Sequence, residues 1–72
     1  MTTELLPYQR RVVGEKVEND ERLLRLTTFI GTPAFNALCV CERRRMLHQA
    51  ATMSDLSMIL GDRIDSFEPT PP

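Results

Sequence analysis

Residues 28–36 read TFIGTPAFN, and they divide the chain into two long segments with helical periodicity. Gly31 suits the position just after a helix C-terminus, and Pro33 suits the first turn of the next helix. Thr32 between them is a favourable N-cap residue. This stretch therefore predicts that one helix ends before Gly31 and that a short helix runs from Pro33 to about Leu38.

On both sides of this turn, apolar residues recur at alternating spacings of three and four, which is the period of an amphipathic helix. The first helix is predicted from Pro7, which fits a first turn, to Ile30, and the second long helix from about Cys41 to Phe67. The predicted seam positions of the first helix are Val12, Lys16, Asn19, Leu23, Leu26 and Ile30. Those of the second long helix are Met46, Ala50, Met53, Ser57, Leu60, Ile64 and Phe67.

These segments predict an all-α antiparallel helical hairpin, in which two long helices are joined by a short helix in the turn. Phe29, Phe35 and Leu38 are expected to pack this turn. The predicted parts of the chain are an N-terminal arm (1–6), the helical hairpin domain (7–67) and a disordered Pro-rich tail (68–72).

The size of the chain predicts self-association. A domain of 72 residues has a marginal core, and small proteins compensate with disulfides, a metal or oligomerisation. Cys39 and Cys41 are too close to connect distant parts of the fold, and the lone His48 completes no zinc-binding spacing. We therefore expect no metal and no cofactor, cysteines that fill buried space in the turn, and an oligomeric bundle. The apolar residues that one hairpin leaves uncovered are Val13, Val17, Leu24, Leu47, Leu56 and Ile59.

The charge balance disfavours nucleic acid as a partner. With 9 basic and 10 acidic residues, the chain lacks the basic excess that is typical of DNA-binding proteins. Its basic run, Arg43 to Arg45, is interpreted as a solvated face, with phosphate or an acidic partner as the alternative. No apolar run reaches a membrane span of about 18 residues, and the N-terminus does not have the pattern of a secretory signal. We therefore expect a cytoplasmic protein without a membrane partner.

Polar residues interrupt the apolar seam, namely Lys16 and Asn19 in the first helix and Ser57 in the second long helix. Antiparallel pairing is expected to place residues 9–19 opposite roughly 55–67. Cations and hydroxyls that converge between helices can bind an anion such as a phosphate. The residues expected to converge in this way near the open end are Gln9, Arg11, Lys16, Ser57 and Arg63.

The same residues have a structural interpretation. Lys16 and Arg63 would then extend outward and pair with Glu15, Asp62 or a carboxylate of a neighbouring chain. Polar seam residues can also determine helix register and oligomeric state.

Two glycines, Gly14 and Gly61, lie inside the predicted helices, where each costs about 1 kcal/mol relative to alanine. They predict close approach of the helix backbones, or alternatively room for a ligand or partner. The chain has no nucleophile–base pair, no phosphate-binding glycine loop and no acidic metal-binding pattern, so we expect no catalytic residues and no enzymatic activity.

Several segments resemble one known family in their order and spacing. They are Pro7 to Val13 (PYQRRVV), Glu15-Lys16, Leu23 to Ile30, Phe35, Leu38, Glu42-Arg43, Leu47, Gln49, Met53, and Ser57 through LGDRI to Phe67. The chain resembles, over about residues 7–67, a family of short uncharacterised phage and prophage proteins first catalogued in crAss-like phages. It departs from that pattern at Gly14, at Asn19 and at Cys39 to Cys41.

The resemblance implies a phage accessory protein in the host cytoplasm, with a counter-defence role exerted by binding. In the leading hypothesis, a homo-oligomer sequesters a nucleotide-type host immune signal in pockets between protomers. Arg11, Lys16, Ser57 and Arg63 would then contact phosphates, and Tyr8 would stack on a base. The alternative is a protein–protein docking module that inhibits or adapts a host defence protein through its apolar helical face. A third and weaker reading is a nucleic-acid-associated factor that uses Arg43 to Arg45.

Overall fold

A computed structural model describes residues 4–67 of the chain, and they form three α-helices. The helices are α1 (Pro7–Ile30), α2 (Pro33–Asn36) and α3 (Val40–Asp65). The predicted all-α hairpin is therefore confirmed, with α2 two residues shorter than expected and α3 ending before Phe67. The predicted tail at 68–72 lies outside the described residues, as do residues 1–3 of the predicted arm.

The helix ends follow from local chemistry. Leu6 is extended, and its N–H donates to the Oε1 of Gln9 at 2.8 Å, so a side chain of the first turn satisfies the N-cap backbone. Thr32 caps α2, because its Oγ1 accepts from the N–H of Phe35 at 3.4 Å. Gly31 ends α1 with φ −81°, so this turn does not use the left-handed backbone that glycine permits.

The cysteine prediction is wrong. Cys39 and Cys41 are both exposed free thiols, not buried fillers of the turn. The reason is that Cys39 serves as the N-cap of α3, where its Sγ accepts from the N–H of Glu42 at 3.4 Å. A cap residue faces the helix end and solvent, so the side chain that fills the turn is instead Phe35, which is buried against Phe29 with ring centroids 6.3 Å apart.

The core is the seam between α1 and α3. All thirteen predicted seam positions are buried or half-buried, which confirms the apolar period in both helices. Buried apolar side chains in the described part are nevertheless few: Val12, Phe35 and Leu60. The antiparallel register is marked at the open end by Tyr8 and Phe67, whose rings meet edge to face with centroids 5.8 Å apart.

The interior glycines do not bring the helix backbones together as predicted. A Cβ added at Gly14 would meet no atom within 4 Å, so this position is open on one chain. A Cβ at Gly61 would lie 3.6 Å from the Cε of Lys16, which is ordinary contact with a side chain and not with a backbone.

The hairpin is a thin rod with dimensions of 56 × 16 × 16 Å. Its radius of gyration is 16.6 Å, whereas a compact domain of this length would have about 11 Å. A thickness of 16 Å accommodates two packed helices, whose axes lie about 8–10 Å apart, and no further layer, so the interior formed by residues 4–67 is the seam. In residues 4–67, no helix is long and apolar enough to cross a membrane.

Candidate functional site

Three polar side chains form a hydrogen-bonded cluster across the middle of the seam. The Nζ of Lys16 donates to Oδ2 of Asp20 at 2.8 Å and to Oγ of Ser57 at 2.8 Å. The Ser57 hydroxyl in turn donates to Oδ1 of Asp20 at 2.5 Å. We call Lys16, Asp20 and Ser57 the seam triad. It joins α1 to α3 through a closed ring of donors and acceptors.

Within the seam triad, the negative charge of Asp20 compensates the positive charge of Lys16. The hydrogen bond from Lys16, followed by that from Ser57, holds the pKa of the Asp20 carboxyl below its usual value of 3.8. Asp20 is therefore ionised at neutral pH and compensates the Lys16 ammonium. The two side chains remain 43% and 30% exposed, so the pair is accessible to solvent on one side of the hairpin. Lys16 has part of its donor capacity free, but any anion that approaches it competes with a carboxylate already in place.

Asp20 was missed in the sequence analysis. Glu15, named above as a possible partner of Lys16, is adjacent to it in sequence, and adjacent residues point about 100° apart on a helix. The available signal was the i,i+4 spacing of Lys16 and Asp20, which places the two side chains one turn apart on the same face. The structural alternative for Lys16, pairing with a carboxylate, is thus realised within the chain, with Asp20 in place of Glu15.

A fourth polar residue determines the register next to the seam triad. Asn19 is buried, and its Nδ2 donates to the backbone carbonyl of Met53 on α3 at 2.8 Å. A buried amide must find a partner, and a carbonyl at one fixed height satisfies it only in one register. Asn19 therefore supports the interpretation that polar seam residues select a register.

The remaining predicted ligand residues lie away from the seam triad. Gln9 caps α1, while Arg11 and Arg63 are exposed. Arg11 is five residues before Lys16 and so lies about 140° away around the helix. The structure thus brings Lys16 and Ser57 together, and it does not bring Arg11 or Arg63 to them within one chain.

A second cluster is found at the open end of the hairpin. Tyr8 is half-exposed and contacts Phe67. Arg11 lies one turn after Tyr8, and Arg63 lies one turn before Phe67, so each arginine shares a helix face with one member of the aromatic pair. Neither guanidinium forms an ion pair with a residue in the described range 4–67. We call Tyr8, Arg11, Arg63 and Phe67 the open-end cluster.

The basic run lies near the opposite end of the hairpin. Arg45 donates to Oε1 of Glu42 at 2.9 Å, and Arg44 is exposed. Arg43 is half-buried, and its Nε has no hydrogen-bond partner among the described residues. One of the three arginines is therefore already paired with a carboxylate.

The described part of the chain contains no cluster of potential metal ligands. Among residues 4–67, no group of three His, Cys, Asp or Glu side chains lies close enough to hold a metal ion.

The comparisons with known proteins yield one match. No curated protein and no solved structure is similar enough to count as a match. One family model, described as Sequestin, matches residues 6–66, which includes all of α1, all of α2 and α3 through its last residue. Because this match covers most of the 72 residues, the chain belongs to the Sequestin family.

Proposed function

We propose that this protein is a non-catalytic binding protein that sequesters a small nucleotide-type ligand as a homo-oligomer, in pockets between protomers. Membership of the Sequestin family carries the proposal, because that name denotes sequestration. The resemblance to short phage proteins extends it to a counter-defence role in the host cytoplasm, with a host immune signal as the ligand.

The shape of the hairpin explains why the ligand would bind between copies. A rod 16 Å thick has no interior beyond its seam, and side chains fill that seam. Ligand sites are concave and bury most of the ligand surface. A rod of these dimensions leaves little room for such a concavity among residues 4–67, so the walls of a pocket would come from more than one copy.

The open-end cluster supplies the groups that a nucleotide requires. Arginine binds phosphate through a planar fork of donors, and Arg11 and Arg63 are exposed without described carboxylate partners. The ring of Tyr8 is 48% exposed and offers a surface for base stacking. We therefore assign the phosphate contacts first to Arg11 and Arg63.

Lys16 and Ser57 are the second group of proposed ligand contacts. The Lys16 ammonium donates one hydrogen bond to Asp20 and a second to Ser57, so a phosphate would bind there only by using the third donor or by replacing the carboxylate. Removal of Asp20 therefore distinguishes a ligand role of Lys16 from a purely structural one.

The second candidate function is docking on a host protein. It is favoured by the exposed apolar side chains of both long helices, including Leu24 and Met58, each 67% exposed. A contiguous apolar surface of this kind marks an interaction site.

Calorimetry tests the first candidate. We expect the wild-type protein to bind at least one member of a panel of cyclic nucleotides and ADP-ribose-derived signals. Arg11→Ala and Arg63→Ala should each weaken binding by at least about tenfold, as loss of a charge-assisted contact does. Arg44→Ala is the matched control, because Arg44 is also exposed and lies on α3 near the turn.

Two further variants test the seam triad. If Lys16 contacts phosphate, Lys16→Ala abolishes binding and Asp20→Ala strengthens it, because the competing carboxylate is removed. If Lys16 is structural, both variants lower the melting temperature without opposite effects on binding. Wild-type protein that binds no member of the panel, and that co-purifies with one host protein from infected cells, would establish docking in place of sequestration.

A further inference from the structure

The two sides of the hairpin differ in chemistry. Asp20 and Ser57 touch across the seam, so the sides of α1 and α3 on which they lie form one common surface. Residues three or four apart are neighbours on a helix, which places Val17 and Leu24 on the Asp20 side of α1. On α3, Met58 follows Ser57 by one residue, about 100° around the helix, and lies on this same side of the hairpin. We call this surface the apolar flank; its members are Val13, Val17, Leu24, Leu47 and Met58.

The opposite surface carries most of the exposed charges. Ile59 lies there, because it is two residues beyond Ser57 and so about 200° around α3. We call this surface the charged flank, and its ionisable members are Arg11, Glu15, Glu18, Arg22, Arg25, Arg45, His48, Asp55 and Arg63. Burial of these groups would require compensation for each charge. The apolar flank has fewer exposed charges beside it, and four of its five members are at least half exposed and uncharged. The charged residues beside it, at helical spacing from its members, are Arg10, Glu21, Arg44, Asp62 and Asp65.

From these observations we infer that a second copy of this chain covers the apolar flank, with the seam triads of both copies meeting at the centre of the interface. The inference rests on the self-association in the proposed function, and it does not depend on the ligand. It places Lys16 and Ser57 in the interface, whereas Arg11 and Arg63 lie on the charged flank, so a pocket between protomers at the open-end cluster requires a further contact, in an assembly larger than a dimer.

The dimensions of the apolar flank fit a copy of the same hairpin. The 26 residues of α3 are about 39 Å long at 1.5 Å per residue. With a width of 16 Å, the flank covers roughly 600 Å² in projection. Two such surfaces together reach about 1,200 Å², the lower limit for specific protein interfaces. A flat rod of matched length can cover this surface fully.

The position of the seam triad sets the register of the two copies. Lys16 and Asp20 lie on either side of the midpoint of α1, which runs from Pro7 to Ile30. A two-fold axis in the interface plane can run along the helices or across them. When two hairpins overlap fully, an axis along the helices brings the two triads face to face, because it leaves the height of each residue along the rod unchanged.

The chemistry of the seam triad suits this central place. Each triad contains one ammonium and one carboxylate in direct contact, so two of them add no net charge to the interface. The hydroxyl of Ser57 and the unused donors of Lys16 remain available for the facing copy. A shifted register would place these polar groups against Val17, Leu24 or Leu47 of the partner, which offer no hydrogen bonds. The polar centre therefore specifies full overlap.

Sedimentation equilibrium on matched variants of two adjacent residues tests the inference. Met58 on the apolar flank is 67% exposed, and Ile59 on the charged flank is 56% exposed. Met58→Glu should raise the dissociation constant of the assembly by about 100-fold or more, because it buries an unpaired charge. Ile59→Glu should leave the dissociation constant unchanged. Val17→Glu, on the other helix of the apolar flank, should repeat the effect of Met58→Glu.

Circular dichroism shows whether a Glu variant is still folded, and a pair of milder Ala variants tests the interface if it is not. If Met58→Glu lowers helix content, Met58→Ala should still weaken association by about tenfold while Ile59→Ala does not. A stable monomer of wild type at micromolar concentration would overturn both this inference and the self-association in the proposed function. An assembly that resists Met58→Glu and Val17→Glu, or that Ile59→Glu disrupts, would overturn the assigned surface and leave the proposed function intact.

Discussion

Truncation of the most buried leucine measures how far the seam stabilises this protein. Leu60 is 1% exposed and is one of three buried apolar side chains in the described part of the chain. Leucine-to-alanine changes in protein cores cost about 2.7–5.0 kcal/mol, the larger values going with cavities that cannot collapse. In a rod only two helices thick, neighbours can move into the gap, so we expect the lower end, about 3 kcal/mol, for Leu60→Ala.

A loss of about 3 kcal/mol is large relative to the total free energy of unfolding of this protein. A protein of 72 residues has a total stability of about 4–11 kcal/mol, at 0.05–0.15 kcal/mol per residue. For a chain of this size, each kcal/mol changes the melting temperature by about 4–8 °C, so Leu60→Ala should melt about 12–24 °C below wild type. Leu26→Ala, at a half-buried seam position, should cost less, about 2 kcal/mol.

Thermal unfolding followed by circular dichroism provides the assay. All variants must be compared at one protein concentration, because association contributes to apparent stability. Ile59→Ala is the control: Ile59 is adjacent to Leu60 but exposed, and its truncation should change stability by no more than about 0.5 kcal/mol. A Leu60→Ala melting temperature within about 4 °C of wild type would refute the assignment of the α1–α3 seam as the core.

Four further changes have defined outcomes. Gly14→Ala should stabilise the protein by about 1 kcal/mol in thermal melts, since a Cβ there meets nothing within 4 Å; destabilisation would show that a partner contacts Gly14. A double Cys39→Ser, Cys41→Ser variant should keep its melting temperature and its ligand binding, because both thiols are exposed and serine caps α3 at least as well; loss of binding that zinc restores would contradict this. The stabilisation from ionised Asp20 is complete above pH 3.8 and is lost as the pH falls through the lower pKa of Asp20 in the folded state. Acid titration of wild type should therefore show a loss of stability below pH 3.8, and this loss should be smaller in Asp20→Asn. Asn19→Asp should cost at least about 3 kcal/mol, because it places a carboxylate against the Met53 carbonyl, whereas equal stability to wild type would show that this hydrogen bond does not hold the register.

Most of the fold was readable from local chemistry. The run from Gly31 to Pro33 ends α1 and begins α2, and the spacing of apolar residues identified the seam of both long helices. These features depend on backbone conformation and helix period, which nearby residues set. The division of the polar residues into the seam triad and the open-end cluster was harder to predict from the sequence. Lys16 and Ser57 are 41 positions apart, and Arg11 and Arg63 are 52 positions apart.

The sequence by itself determined that the chain is a helical hairpin with polar residues in its seam, because helix period and turn chemistry are local properties. Only the tertiary structure decided that Asp20 compensates Lys16, that Asn19 bonds to the Met53 carbonyl, and that Cys39 caps a helix instead of filling the turn. Each of these depends on the rotation of one helix relative to another or on the exact residue at which a helix begins. A shift of one residue changes the direction of a side chain by about 100°, and that is enough to exchange a buried partner for solvent.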